Sequence, residues 1–115
     1  MHEAAIAMAL IDQALQSADE HGATRITEVE VELGILQQVV PEALQTAFDA
    51  AVLGTAAEGA ELVLVEQQAE AVCRQCATRF QPSLEAFSFC CPNCMQADVE
   101  IVAGNHVTLT SLTCE

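Results

Sequence analysis

Apolar and polar positions follow two periods along this chain. From residue 3 to 21, Met8, Ile11, Leu15 and Ala18 recur at three- and four-residue steps, which predicts a helix with these residues on one face. Gly22 follows as its stop. "RITEVEVELG" (25–34) switches to period two, with Val29, Val31 and Leu33 on one side and Glu28, Glu30 and Glu32 on the other. That is the mark of a half-buried strand. Pro41 suits the first turn of a second helix, Leu44, Ala47, Phe48 and Ala51 give it an apolar stripe, and Gly54 closes it. "AELVLVEQQ" (60–68) is apolar on both faces from Leu62 to Val65, so a strand central in a sheet is expected there. "NHVTLTSLT" (105–113) alternates at Val107 and Leu109 and reads as a third strand. The stretch from Cys73 to Cys94 fits neither period. It holds five cysteines with Pro82 and Pro92 and has few aliphatic residues. Such a segment cannot bury a core of its own and needs a metal to fold. The order is therefore α-β-α-β, a cysteine lobe, then β.

Composition narrows the class. The chain's 115 residues suffice for one compact domain, and an apolar fraction of 52% excludes a disordered chain. All four aromatics are Phe, so the core must be aliphatic. Seventeen acidic residues stand against three arginines and no lysine, a formal charge of −14. Phosphate backbones repel such a chain, which argues against nucleic acid as a partner. Solubility accounts for the charge, and attraction to cations or to a basic protein surface is the functional alternative. Glu3 and Asp12 break up any secretory or membrane-spanning signal at the start, so a cytoplasmic protein without a membrane partner is expected. In that compartment thiols stay reduced, and six cysteines point to metal before disulfides.

"CRQC" (73–76) and "CPNC" (91–94) form two C-x2-C pairs separated by fourteen residues. Each pair is a tight turn that aims two sulfurs at one ion, and two such knuckles close a tetrahedron of thiolates around Zn²⁺. Cys73, Cys76, Cys91 and Cys94 leave no coordination position open, so the site is structural. Four thiolates with one Zn²⁺ add −2, taking −14 to −16. By count alone Cys90 or Cys91 could pair with Cys94; the Cys-Pro-x-Cys turn favours Cys91 and leaves Cys90 and Cys114 as spare thiols. A single redox C-x-x-C at a helix start does not describe two pairs in a Pro-containing loop. Iron competes because "CPNC" is similar to a rubredoxin knuckle, but only Phe80, Phe87 and Phe89 are at hand to pack around it.

Of the three histidines, His21 beside Gly22 is accounted for by the helix dipole, and His106 is expected to be exposed at the start of the last strand. His2 has different neighbours. The Met1 amine, the His2 amide and ring nitrogens and the Glu3 amide nitrogen lie within one short stretch and would close small chelate rings. A planar nitrogen array suits Ni²⁺ or Cu²⁺. Read on the first ten residues alone, His-Glu merely precedes a helix, with Glu3 favoured at its positive end.

The whole pattern resembles the HypA/HybF family, nickel metallochaperones of [NiFe]-hydrogenase maturation. The resemblance is carried by "MHE" leading into a helix, "VEVELGILQQVVPEALQTAF" (29–48), "GTAAEGAELVLVE" (54–66) and the two knuckles, and more loosely by "GNHVTLTSL" (104–112). It implies an α+β fold: two helices packed on a three-stranded sheet as the nickel-binding lobe (1–70 plus 105–115), with an inserted four-cysteine zinc-ribbon lobe (71–104). It makes His2 the nickel ligand, with Met1 and Glu3 beside it, and the four knuckle cysteines the zinc ligands. Nickel is then transient cargo and zinc structural. Implied partners are a nickel-handling GTPase of the same pathway and the hydrogenase large subunit, with the chain a monomer or weak homodimer. Ala77 and Met95 depart from the family pattern, where glycine usually follows the second cysteine of each knuckle, in a turn that wants positive φ. Asn105-His106 also departs, and residues 77–90 hold no histidine.

No nucleophile constellation or open zinc position supports catalysis, so a carrier and not an enzyme is expected. A structural zinc-ribbon adaptor that recruits a partner through its acidic face and binds no nickel is the alternative.

Overall fold

The computed structural model describes residues 2–82 and 89–115. Its elements run α1 (Glu3–Glu20), β1 (Ile26–Gly34), a 3-10 turn (Ile35–Gln37), α2 (Pro41–Ala51), β2 (Glu61–Gln67), β3 (Glu70–Cys73), β4 (Arg79–Phe80), β5 (Val99–Ala103) and β6 (Val107–Cys114). They build two three-stranded sheets, ordered β2-β1-β6 and β4-β3-β5. The fold is the expected α+β arrangement of two helices on one sheet, with the four knuckle cysteines at the other.

In the first sheet, β1 pairs parallel with β2 and antiparallel with β6. The parallel pair is reached through α2, because parallel strands need a crossover connection. Both helices cover the same face. Val29, Val31 and Ile26 are fully buried there with Leu44 and Phe48 of α2. The alternation of β1 holds: its valines face the helices and Glu28, Glu30 and Glu32 face away.

Two expectations fail. Met8 is 61% exposed, and the buried face of α1 is Ala7, Leu10, Ile11, Ala14 and Ala18. The apolar stripe is thus shifted round the helix. Alanines surround Met8 on both sides, so the sequence offers no contrast to place the stripe, and the small alanines let α1 lie close on the sheet. Second, β2 is an edge strand and β1 is central. Among the described residues only one face of this sheet is covered, so a central strand can carry glutamates outward, while Val65 of β2 stands 43% exposed on the open face.

The second sheet is small, and its buried members are few: Ala71, Cys73 and Cys91, with Ala69 at its start. No described residue of it joins the main hydrophobic cluster. β3, β4 and β5 were not expected from the pattern, although Val99 and Ile101 alternate with Glu100. The radius of gyration is 17.3 Å and the extents are 53 × 27 × 17 Å, against ~13 Å for a compact chain of this length. The two sheets therefore lie end to end.

They meet at a crossing of three backbones. A Cβ on Gly34 would lie 2.5 Å from the Gly104 carbonyl atoms and 2.6 Å from the His106 oxygen. Gly104 has φ +82°, and a Cβ on it would lie 2.6 Å from the Ala69 Cα. Across this crossing the Gly34 N–H donates to His106 O (2.8 Å), the Leu36 N–H to Gly104 O (2.9 Å) and the Gln37 amide to Asn105 O (2.6 Å).

Candidate metal centre

The two knuckles fold alike. In the first, the Ala77 N–H donates to Cys73 O (2.8 Å) and the Cys73 N–H to Thr78 O (2.9 Å). In the second, the Met95 N–H donates to Cys91 O (2.8 Å) and the Cys91 N–H to Gln96 O (2.8 Å). Each turn closes through a left-handed residue, Ala77 at φ 62° and Met95 at φ 66°. The first cysteine of each pair is buried and the second lies further out.

This repetition brings four sulfurs together. Cys73 and Cys94 lie 3.4 Å apart, Cys76 and Cys91 3.6 Å, and all four sulfurs fall within 4.8 Å of one another. A tetrahedron with Zn–S of ~2.3 Å has S···S edges of ~3.8 Å. The donor set and its spacing fit Zn²⁺. Cys91 is the member of the cluster, while Cys90 and Cys114 are exposed and outside it.

Electrostatics explains why a cation belongs here. The Thr78 hydroxyl, 3.1 Å from Cys76, together with the Thr78 backbone and the Asn93 amide, holds the Cys76 thiol down at about 6. At Cys94 a backbone hydrogen bond from Gln96 favours the thiolate. The Cys73 sulfur, burial, Cys76 and Cys91 together outweigh it and push Cys94 up to about 12. One thiolate thus suppresses the next, and a divalent ion reverses that by favouring all four.

Thr78, Asn93 and Asp98 were missed by reading motifs alone. Asp98 accepts from the Arg74 guanidinium (3.0 Å) and the Gln75 amide (3.0 Å), pinning the first knuckle tip to the residue just before β5. Arg74, and then Gln75, hold the Asp98 carboxyl below the usual carboxylate range. A polar residue two places past a C-x-x-C pair is a signal that could have found Thr78.

At the other end, Met1 lies outside the described residues, as does Phe87. His2 is exposed at the start of α1, with φ 67° and ψ 17° and no side-chain capping bond. The helical ladder begins with the Ile6 N–H donating to His2 O (2.9 Å). Glu3 Oε2 accepts the Val40 N–H (3.2 Å), tying the start of α1 to the residue before α2. His21 caps α1 through Nδ1, 2.8 Å from Ser17 O, and His106 is exposed beside β6. Neither joins His2 in a cluster. Among the described residues the four knuckle cysteines are the one group of ligating side chains close enough to hold an ion, and no helix is long and apolar enough to cross a membrane.

A two-helix sheet joined to four cysteine sulfurs spaced for one ion defines the class as a metal-binding protein. Residues 1–114 match the family described as "Hydrogenase/urease nickel incorporation, metallochaperone, hypA", and the chain belongs to that family. It is 39% identical over 115 residues to the hydrogenase maturation factor HypA of Chlorobium limicola, covering 100% of this chain and 97% of the relative. It is 35% identical over 113 residues to that of Streptomyces avermitilis, covering 97% and 86%. The fold is similar to the solution structure of the Ni metallochaperone HypA from Helicobacter pylori, with TM-score 0.76 at 25% identity over 99% of this chain and 97% of that one. The family is one of metallochaperones, so the chain is a nickel-incorporation factor and not an enzyme.

Proposed function

We propose that this chain binds Ni²⁺ at its amino terminus and hands it on for maturation of a [NiFe]-hydrogenase. The observation that carries this reading is His2: an exposed, left-handed residue ahead of a helix, with a side chain that does no capping. Non-glycine residues pay for that conformation, and such strain is often kept at functional sites. The His2 and Glu3 amide nitrogens precede the first bond of the helical ladder, so a metal that takes them, displacing the Glu3 N–H from its own carboxylate, leaves the ladder intact. The Met1 amine completes the nitrogen set. A terminal site also releases its ion readily, because the first turn of a helix frays.

Cys73, Cys76, Cys91 and Cys94 hold the structural Zn²⁺. Residues 71–104 form its lobe, and 1–70 with 105–115 the nickel lobe. The partners are a nickel-handling GTPase and the hydrogenase large subunit, met in the cytoplasm. Extending the chain by a few residues before Met1 tests the site, since it converts the amine into an amide. Nickel affinity should drop while zinc content stays at one per chain. Unchanged nickel affinity in the extended chain would place the site elsewhere.

A further inference from the structure

β6 is the outer strand of the first sheet, and among the described residues nothing pairs with its free edge. Its eight residues, Val107–Cys114, include no charge and no proline. Natural sheets usually guard such an edge with lysine, proline or a bulge. Within β6 the guard is a bulge at Thr110, where the pairing shifts between Glu30 and Val31; a second shift, between Ile26 and Glu28, places its extra residue, Thr27, in β1 and not in β6. The bulge leaves Ser111–Cys114 as an uninterrupted run.

That run borders a groove of about 630 Å³ between β6 and the second half of α1. Leu109 and Leu112, both half-buried, form an apolar floor, and Gln13, Ser17 and His21 form the helical wall. The size falls in the ~300–1,000 Å³ range of ligand sites.

Charge selects the occupant. Glu115 lines the groove and Glu20 lies beside His21 on α1, while on the opposite, open face of the sheet Glu30 accepts the Thr110 hydroxyl of β6 (3.2 Å). All three arginines are elsewhere. Arg74 and Arg79 pair with Asp98 and Glu70 in the second sheet, and the Arg25 guanidinium lies near Gly59, in the loop before β2. A second copy of this chain would bring another −14 to the edge.

We propose that β6 and this groove receive an extended basic segment of a partner protein, added as a strand. Its main chain pairs with Ser111–Cys114, its apolar side chains rest on Leu109 and Leu112, and its basic side chains meet the glutamates. Strand addition draws affinity from main-chain bonds and specificity from alternate side chains. The inference is independent of the nickel reading.

The test uses the full zinc-loaded chain, amide shifts by NMR, and two octapeptides of alternating valine with lysine or with glutamate. The lysine peptide should shift amides of 107–114 and 13–21 and bind more weakly as salt rises. Gln13→Lys with Ser111→Lys, both at exposed positions, should weaken it by on the order of tenfold or more through like charge. His2→Ala should not change it. Equal binding of the glutamate peptide, shifts confined to other surfaces, or no effect of the double variant would overturn the proposal. So would concentration-dependent shifts of β6 without peptide, which would assign the edge to a homodimer.

Discussion

Ala77→Gly and Met95→Gly should tighten the zinc lobe. Both residues close a knuckle in the left-handed region, at φ 62° and 66°. A side chain there costs roughly 1–2 kcal/mol relative to allowed conformations. Glycine escapes that cost but has a more disordered unfolded state, worth roughly 0.5–1 kcal/mol in the other direction. Little packing is lost, since Ala77 is exposed and Met95 is 74% exposed. The balance is a stabilisation of about 0.5–1 kcal/mol per knuckle. Folding of the lobe and zinc binding are linked, so the gain appears as zinc affinity. One substitution should raise it by roughly two- to fivefold, and the pair by up to about 30-fold if the knuckles act independently. Competition against a chromophoric zinc chelator at fixed pH reads this directly. Unchanged or weaker zinc binding in the double variant would refute the argument that these turns are strained by their side chains.

Gly104→Ala adds a Cβ 2.6 Å from the Ala69 Cα at φ +82°; strain and overpacking together should cost about 2–5 kcal/mol in urea unfolding, and a change under ~1 kcal/mol would show that the crossing yields easily. Phe48→Ala empties the centre of the first sheet, where Phe48 is fully buried, and should cost about 3–5 kcal/mol; a smaller thermal shift than that implies would mean α2 can collapse onto the space. Asp98 has a carboxyl pKa held low by Arg74, so its contribution is complete above its unfolded value of ~3.9 and is lost as pH falls through the lower folded value. Asp98→Asn should therefore loosen the first knuckle at neutral pH, seen as faster amide exchange at 74–76, and exchange equal to the parent would dismiss that role. Cys76→Ser should disorder the second sheet while the first keeps its circular dichroism; collapse of the whole chain would defeat the two-lobe division.

Much of the architecture was legible because its periods are clean. β1 announces itself through glutamates alternating with valines, and α2 through Pro41, Leu44 and Phe48. The knuckles are legible for a different reason: spacing alone brings sulfurs to one ion. What stayed hidden has physical causes. α1 is so rich in alanine that the buried stripe cannot be told from its flank, and Met8 went to the wrong side. The apolar run of β2 suggested two covered faces, whereas the described residues cover one. β3 to β5 are short strands whose stability comes from the knuckles and the Gly34–Gly104 crossing, so hydrophobic period barely marks them. Thr78, Asn93 and Asp98 act on the cysteines through contacts that only the folded knuckles create.

Capture of nickel by His2, with zinc held separately by the knuckle cysteines, is tested most directly by calorimetry. Ni²⁺ is titrated into the zinc-loaded chain and into His2→Ala. The parent should take up one Ni²⁺ per chain, and the variant should bind it on the order of 100-fold more weakly, about 2.7 kcal/mol, with one Zn²⁺ retained in both. Equal nickel affinity in the two proteins would contradict capture at His2 and leave a zinc-ribbon adaptor as the better description.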